Sequence, residues 1–392
     1  MKKLCVFVVM LMCCVCCFNF CSNKNMCFAN QTQNQISDEL ADEIKSQTDD
    51  IDFSELEKYV QSISNESFGF SSFKELVQSF LNGEENFDLS LILEMFFSSF
   101  KQSFVSLLPT VALIFVIAFF YNIFSKTTYC GTDKIVYLIC FVSISVLIVA
   151  LISKCHTETL NLVLSLKKQI DLVFPILLTL MVSLGASVSV GIYQPIVSFL
   201  NVIITGIISG VLLKIVSVCL ALCVVGRLSE DLKLSKMVSL LQSVFKWVLG
   251  VVCSLYLGTL SLKAIAGSSA DGISIKATKY ALKNYIPYLG GFLSEGFEVF
   301  RAGSTLIKNS VGPSAIVLLL CTIAVPLVSL VSLNLILKFA SALCEPLSDG
   351  KISGFLADIS KCVNMLVACL VAIVVIYFVT VLLIISTANY VF

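Results

Sequence analysis

Histidine occurs once in this sequence, at His156. That scarcity removes histidine-based metal centres and Ser-His-Asp relays, both of which need an imidazole beside other donor groups. Charge is scarce as well. Asp, Glu, Lys and Arg make up 13% of the residues, against about 25% in a soluble domain. No P-loop, glycine-rich dinucleotide fingerprint or H-E-x-x-H pair occurs. Carboxylates are missing from the middles of the apolar runs, which argues against a proton-coupled carrier and against aspartyl proteolysis within a membrane. These absences predict a chain with no catalytic residues, no cofactor, no metal and no nucleic-acid partner.

What is present is grease. Hydrophobic residues are 57% of the chain, and the mean hydropathy is +0.95. Apolar runs lie near 103–124, 135–153, 172–192, 195–225, 247–266, 313–337 and 362–388. Each approaches or exceeds the roughly 20 residues that cross a bilayer, so the expected fold is all-α, a polytopic transmembrane helix bundle in the lipid bilayer. The fourth run is too long for a simple crossing. It holds Gly206 and Gly210 in a G-x-x-x-G, then Lys214, the one basic residue well inside an apolar run. Two readings stand: one long tilted helix in which the glycines serve close packing, or a break that makes a hairpin or a re-entrant piece. Lys214 marks function or snorkels at such a break. The positive-inside rule agrees better with two crossings, which would put residues 267–312 on the same side as the N-terminal region. Pro175 and Pro326 fall inside runs and are candidates for kinks.

The N-terminus "MKKLCVFVVMLMCCVCCFNF" has the layout of a secretory signal peptide, with cleavage expected after Ala29; an uncleaved anchor is the alternative. Residues 30–102 then form an acidic region, placed outside the cytoplasm. From Asn30 to Phe100 fifteen acids face three lysines, whereas from Gln102 onward eleven acids face nineteen bases. Two capping patterns, Ser54 with Glu57 and Ser72 with Glu75, predict short helices there, a small helical head that hugs the membrane. Of 17 cysteines, seven lie in the first 27 residues and the head has none; the rest sit mostly in apolar spans, where cysteine packs as a small hydrophobe.

Between membrane parts 103–266 and 313–392 lies a soluble-looking insert, 267–312. Taken as a helix from Ile273 to Tyr288, it brings Lys276, Lys279 and Lys283 onto one face, with Tyr285 and two alanines opposite. A second amphipathic helix follows, carrying Phe292, Gly296, Phe297, Phe300, Gly303, Ile307 and Val311 on one side. The insert either lies on lipid headgroups or docks on partner subunits through Lys276, Lys279, Tyr280, Lys283 and Tyr285. The stretch "SADGISIKATKYALKNYIPYLGGFLSEGFEVFRAGSTLIKNSVG", followed by a span containing proline, resembles the stage III sporulation protein AE family of endospore-forming bacteria, and the pattern of head and spans extends that likeness over essentially the whole chain. The resemblance implies a non-enzymatic multi-pass protein of the mother-cell (outer forespore) membrane. It implies further a part in a secretion-like channel or feeding tube to the forespore, with the other stage III proteins of the mother-cell set and the forespore protein Q as partners. A stand-alone permease for a small solute, with Lys214 at a midplane site, and a passive assembly scaffold are the competing readings.

Overall fold

Helices run straight through the polar stretches between some apolar runs, because those stretches lack breakers. Residues 154–171 hold six ionisable side chains but no glycine or proline, so the backbone ladder continues across them. The computed structural model describes residues 51–63, 72–81, 89–127, 133–228, 234–285, 290–347 and 350–389. Within them the elements are α1 (Ser54–Ile63), α2 (Phe73–Leu81), α3 (Leu89–Thr127), α4 (Asp133–Ser183), α5 (Ser187–Ile207), a π-helical turn (Ile208–Leu212), α6 (Leu213–Leu228), α7 (Ser235–Tyr285), α8 (Gly290–Cys344), a 3-10 turn (Glu345–Leu347) and α9 (Lys351–Asn389). The described residues contain no strand, and the all-helical expectation holds. The leader and Ala29 lie outside the described residues.

The seven apolar runs become six helices long and apolar enough to cross a membrane: Phe96–Phe124, Ile135–Ser183, Ser187–Leu228, Ser235–Leu260, Phe300–Cys344 and Lys351–Ile385. The run at 172–192 is not a helix of its own. Its first part is the end of α4, and its last residues open α5. Gly185 separates them at φ 85°, a left-handed conformation that costs a residue with a Cβ about 1–2 kcal/mol. Its amide donates to the Val182 carbonyl at 2.8 Å, and the next amide, Ala186, donates to Met181 at 3.0 Å. This is the paired bonding that ends helices at a glycine. The run at 195–225, by contrast, does not break. α5 passes into α6 through the π-helical turn, whose widened ladder accommodates one extra residue, and the Ser209 hydroxyl donates to the Thr205 carbonyl there at 2.6 Å. Pro326 likewise lies inside the unbroken α8.

The helices are too long for one bilayer. The 51 residues of α4 and the 55 of α8 extend about 75–80 Å at 1.5 Å per residue. Their outer surfaces change character along that length. α3 exposes Leu113, Phe115, Val116, Phe119 and Phe120, α4 exposes Ile135, Leu138, Ile139, Val142 and Val146, and α8 exposes Val325, Leu335, Phe339 and Leu343. From Val325 to Leu343 the rise is about 27 Å, close to the roughly 30 Å of bilayer hydrocarbon. Beyond this girdle α4 exposes Lys154, Thr157, Glu158, Asn161, Lys168 and Asp171, and exposed large apolar side chains there are scattered. The core runs through both halves and centres on α8 and α9, whose most apolar windows are each 67% buried, against 11% for α7.

Candidate functional site

The end of α3 and start of α4, the end of α6 and start of α7, and the end of α8 and start of α9 lie at one end of the bundle, and polar groups tie that end together. The Arg227 guanidinium meets the Asp358 carboxylate at 2.8 Å, and Lys361 reaches its other oxygen at 2.8 Å. Tyr137 donates its hydroxyl to the Arg227 carbonyl at 3.0 Å, and the Lys351 ammonium stands 5.1 Å above the Tyr137 ring. Three helices, α4, α6 and α9, are thereby held at the girdle's lower edge, where long cationic side chains anchor best.

At the girdle's other edge sits the acidic head. α1 and α2 pack into the bundle rather than project from it: Phe53, Leu56, Tyr59, Val60, Phe73 and Val77 are all buried. The Tyr59 hydroxyl donates to the Ser165 carbonyl of α4 at 2.8 Å, and Lys168 lies 5.6 Å from the centre of its ring. Burial raises the Tyr59 phenol well above its ordinary pKa. Leu76 joins Val317 and Cys321 of α8. The capping residues fall partly as expected. Ser72 caps α2, accepting from the Lys74 amide at 3.2 Å. At α1, Asp52 accepts the Ser54 amide at 2.9 Å, and the Ser54 hydroxyl and then its amide hold the Asp52 carboxyl below the usual carboxylate range. Glu57 turns instead to the Ser72 hydroxyl at 2.9 Å, which fastens one short helix to the other.

The insert is not a separate loop module. Lys276, Lys279, Tyr280, Lys283 and Tyr285 lie on the last turns of α7, and the second amphipathic stretch is the start of α8. Both extend past the girdle at the head end. Lys276 and Tyr280, four residues apart on one face, are exposed, Tyr280 at 65%. Of the second face, Gly303, Ile307 and Val311 are buried, so that side joins the core.

The mid-span residues separate. A Cβ added at Gly206 or Gly210 would meet nothing within 4 Å, so among the described residues no other helix packs on the G-x-x-x-G. Lys214 is exposed among Val211, Ser217 and Val218 on the outer face of α6, and no ion pair to it occurs among the described residues. Two polar groups that sequence reasoning passed over are internal. Asn334 of α8 donates to the Asn364 amide oxygen and accepts from the Ser360 hydroxyl of α9 at 2.7 Å. The fully buried Lys308 ammonium donates to the Ile385 carbonyl at 2.8 Å. The signal for the first was an asparagine in each of two apolar runs, which lipid alone would not favour. Seven of the nine described cysteines are buried and all nine are free, as small core hydrophobes are.

Three comparisons bear on the chain. The profile of the family described as Stage III sporulation protein AE matches residues 71–388. The Stage III sporulation protein AE of Bacillus subtilis (strain 168) is 27% identical over 326 residues, covering 80% of this chain and 79% of that protein. No solved structure matches it.

Proposed function

The chain belongs to the stage III sporulation protein AE family, and from that premise we propose that it is a multi-pass component of the channel joining mother cell to forespore. In this reading the girdle half lies in the mother-cell (outer forespore) membrane. The distal half projects into the space between the two membranes, together with the acidic head and the lysine-bearing end of α7. There it meets other stage III proteins of the mother-cell set and the forespore protein Q. The role is non-catalytic: the bundle forms or braces the membrane base of the conduit.

The observation that carries this reading is the height of the bundle. Helices of about 75–80 Å with a polar outer surface from Lys154 to Asp171 exceed what a permease of one membrane requires and suit a part that reaches across a gap. The short connections at the opposite end are flanked by Lys126, Lys134, Arg227, Lys233, Lys236 and Lys351, a cytoplasmic signature. Lys276, Lys279 and Lys283 form a basic face for acidic partners, with Tyr280 and Tyr285 as aromatic anchors.

The test has two arms. In the native sporulating host, the chain with Lys276, Lys279 and Lys283 all changed to Glu should lose co-purification with the other stage III proteins and silence late forespore reporters. Normal assembly and sporulation would sink the docking assignment. In a chain stripped of native cysteines, N161C should react with an impermeant maleimide from the extracytoplasmic side, while I139C stays unlabelled. Protection of position 161 would sink the projecting distal half.

A further inference from the structure

One strip of the girdle is not apolar. α9 carries the most hydrophobic window of the six helices, at a hydropathy of 3.2, and is buried nearly throughout. Among its described residues only two side chains are exposed, Lys361 and Asn364, and both are polar. At about 100° per residue they fall between two contact lines. One faces α8 through Ser353, whose carbonyl accepts from Ser341, and Ser360, which meets Asn334. The other faces α6 and α7 through Asp358, paired with Arg227, and Thr380, bonded to Tyr256 at 2.6 Å. α9 therefore presents a polar strip between its contacts with α8 and its contacts with α6 and α7.

The α7 wall is polar too. Its buried line is Val238, Phe245, Tyr256 and Leu260. Flanking that line, Ser239, Ser243, Lys246, Gly250 and Ser254 recur at spacings of three and four, and all are exposed. This stripe lies on the flank turned away from Thr259, which lines a cavity with Pro195 and Phe199 of α5. It is thus on the side of α9. The apolar residues Val244, Trp247 and Leu255 occupy the outermost surface instead. On the α8 wall Lys338 is exposed beside the Asn334 line. Lys246 lies 11 residues from the start of α7, about 16 Å along the helix. No acidic partner to Lys246 or Lys338 occurs among the described residues, while Lys361 is already paired with Asp358.

A lysine facing lipid within the girdle costs about 3 kcal/mol on insertion scales, and Ser239 and Ser254 add hydroxyls with no partner among the described residues, while Ser243 donates to the Ser239 carbonyl at 2.9 Å. Lipid is the wrong solvent for this strip. We propose that the cleft over α9, between α7 and α8, is a water-filled groove within the membrane that attracts small anionic solutes. It rests on the conduit reading above, since it names what the membrane base would admit. Water satisfies Ser239, Ser254 and the amide nitrogen of Asn364, and the uncompensated lysines set the sign of the solute.

Trp247 is the only tryptophan in the chain, so a fluorescent probe can be moved. The full chain is reconstituted in liposomes as W247F/S243W, with the probe in the stripe, and as W247F/V244W, with the probe one residue round on the apolar side. Aqueous iodide should quench the first about fivefold more than the second, and more than caesium does, while lipids brominated on their acyl chains should quench the second. K246E with K338E should reverse the iodide preference over caesium and leave neutral acrylamide quenching unchanged. If S243W disturbs folding, S239W on the same stripe carries the same readings. Equal quenching by brominated lipid at both positions overturns the groove, and equal iodide and caesium quenching overturns its anion preference. Either failure leaves the sporulation phenotypes of the conduit reading untouched, so the two are separable.

Discussion

Leu113 and Leu177 are the same residue in two apolar runs of similar length, and they face different solvents. Leu113 of α3 is 46% exposed, in the girdle; Leu177 of α4 is fully buried, in the distal half. Around Leu113 the outward residues are phenylalanines and valines. Around Leu177 they are Pro175, Thr179 and Ser187, with Val182 and Val188. Lipid covers the first and protein covers the second, yet the requirement on the inward residues is identical, because transfer of an alkyl group out of water is favourable into either. Apolar length alone therefore counts crossings wrongly wherever a helical domain with its own core stands on a membrane bundle.

That contrast can be broken most directly by burying a charge on each side of it. Leu177→Asp should cost on the order of 4 kcal/mol, because the carboxylate has no partner in a closed core, and the purified chain should lose its monodisperse peak in detergent. Leu113→Asp should keep that peak, since detergent and water can rearrange about it, while its insertion into membranes falls by about 3 kcal/mol on the translocon scale. If both substitutions behave alike in detergent, the two halves do not differ as described.

The turn between α4 and α5 gives a smaller effect. Gly185→Ala must hold a Cβ at φ 85°, so it should destabilise by about 1–2 kcal/mol and lower the thermal midpoint in detergent. An unchanged midpoint would mean that the α4–α5 turn relaxes freely.

The smallest effect concerns the head. Tyr59→Phe removes one hydrogen bond to the Ser165 carbonyl, worth about 1 kcal/mol, and should speed proteolysis between α1 and the bundle. Because burial raises the Tyr59 phenol in the folded state, the stabilisation is full below the ordinary tyrosine pKa of about 10 and is lost as pH rises above it. The native head should release in alkali, and the phenylalanine variant should release with a shallower pH dependence. An identical alkaline profile would show that this phenol is not the group that titrates.

Much of the fold was readable beforehand for local reasons. The cap at Ser72 and the lysine spacing on the end of α7 are each set within a few residues, whereas at α1 the cap is Asp52 and not the expected Ser54. The boundary at Ala266 was not readable. Gly267 and Gly272 lower helix propensity and look like a linker, but a helix already nucleated along some thirty residues of α7 propagates through two weak positions. The reverse held at Gly185. A lone glycine in an apolar run reads as helix, and only the way α4 and α5 pack back on each other shows that the chain turns there. The polar strip on α7 was hidden for a third reason: its serines and Lys246 are diluted among apolar residues in sequence, and their alignment matters only once Lys361 and Asn364 are set beside them.

Composition and periodicity by themselves determined that this protein is helical and membrane-bound, because both follow from what a side chain can tolerate along its own helix. The tertiary structure alone decided which apolar faces meet lipid, which meet protein, and where polar residues from three helices converge. Burial in a bilayer and burial in a protein core ask for the same residues, and only the neighbours distinguish them.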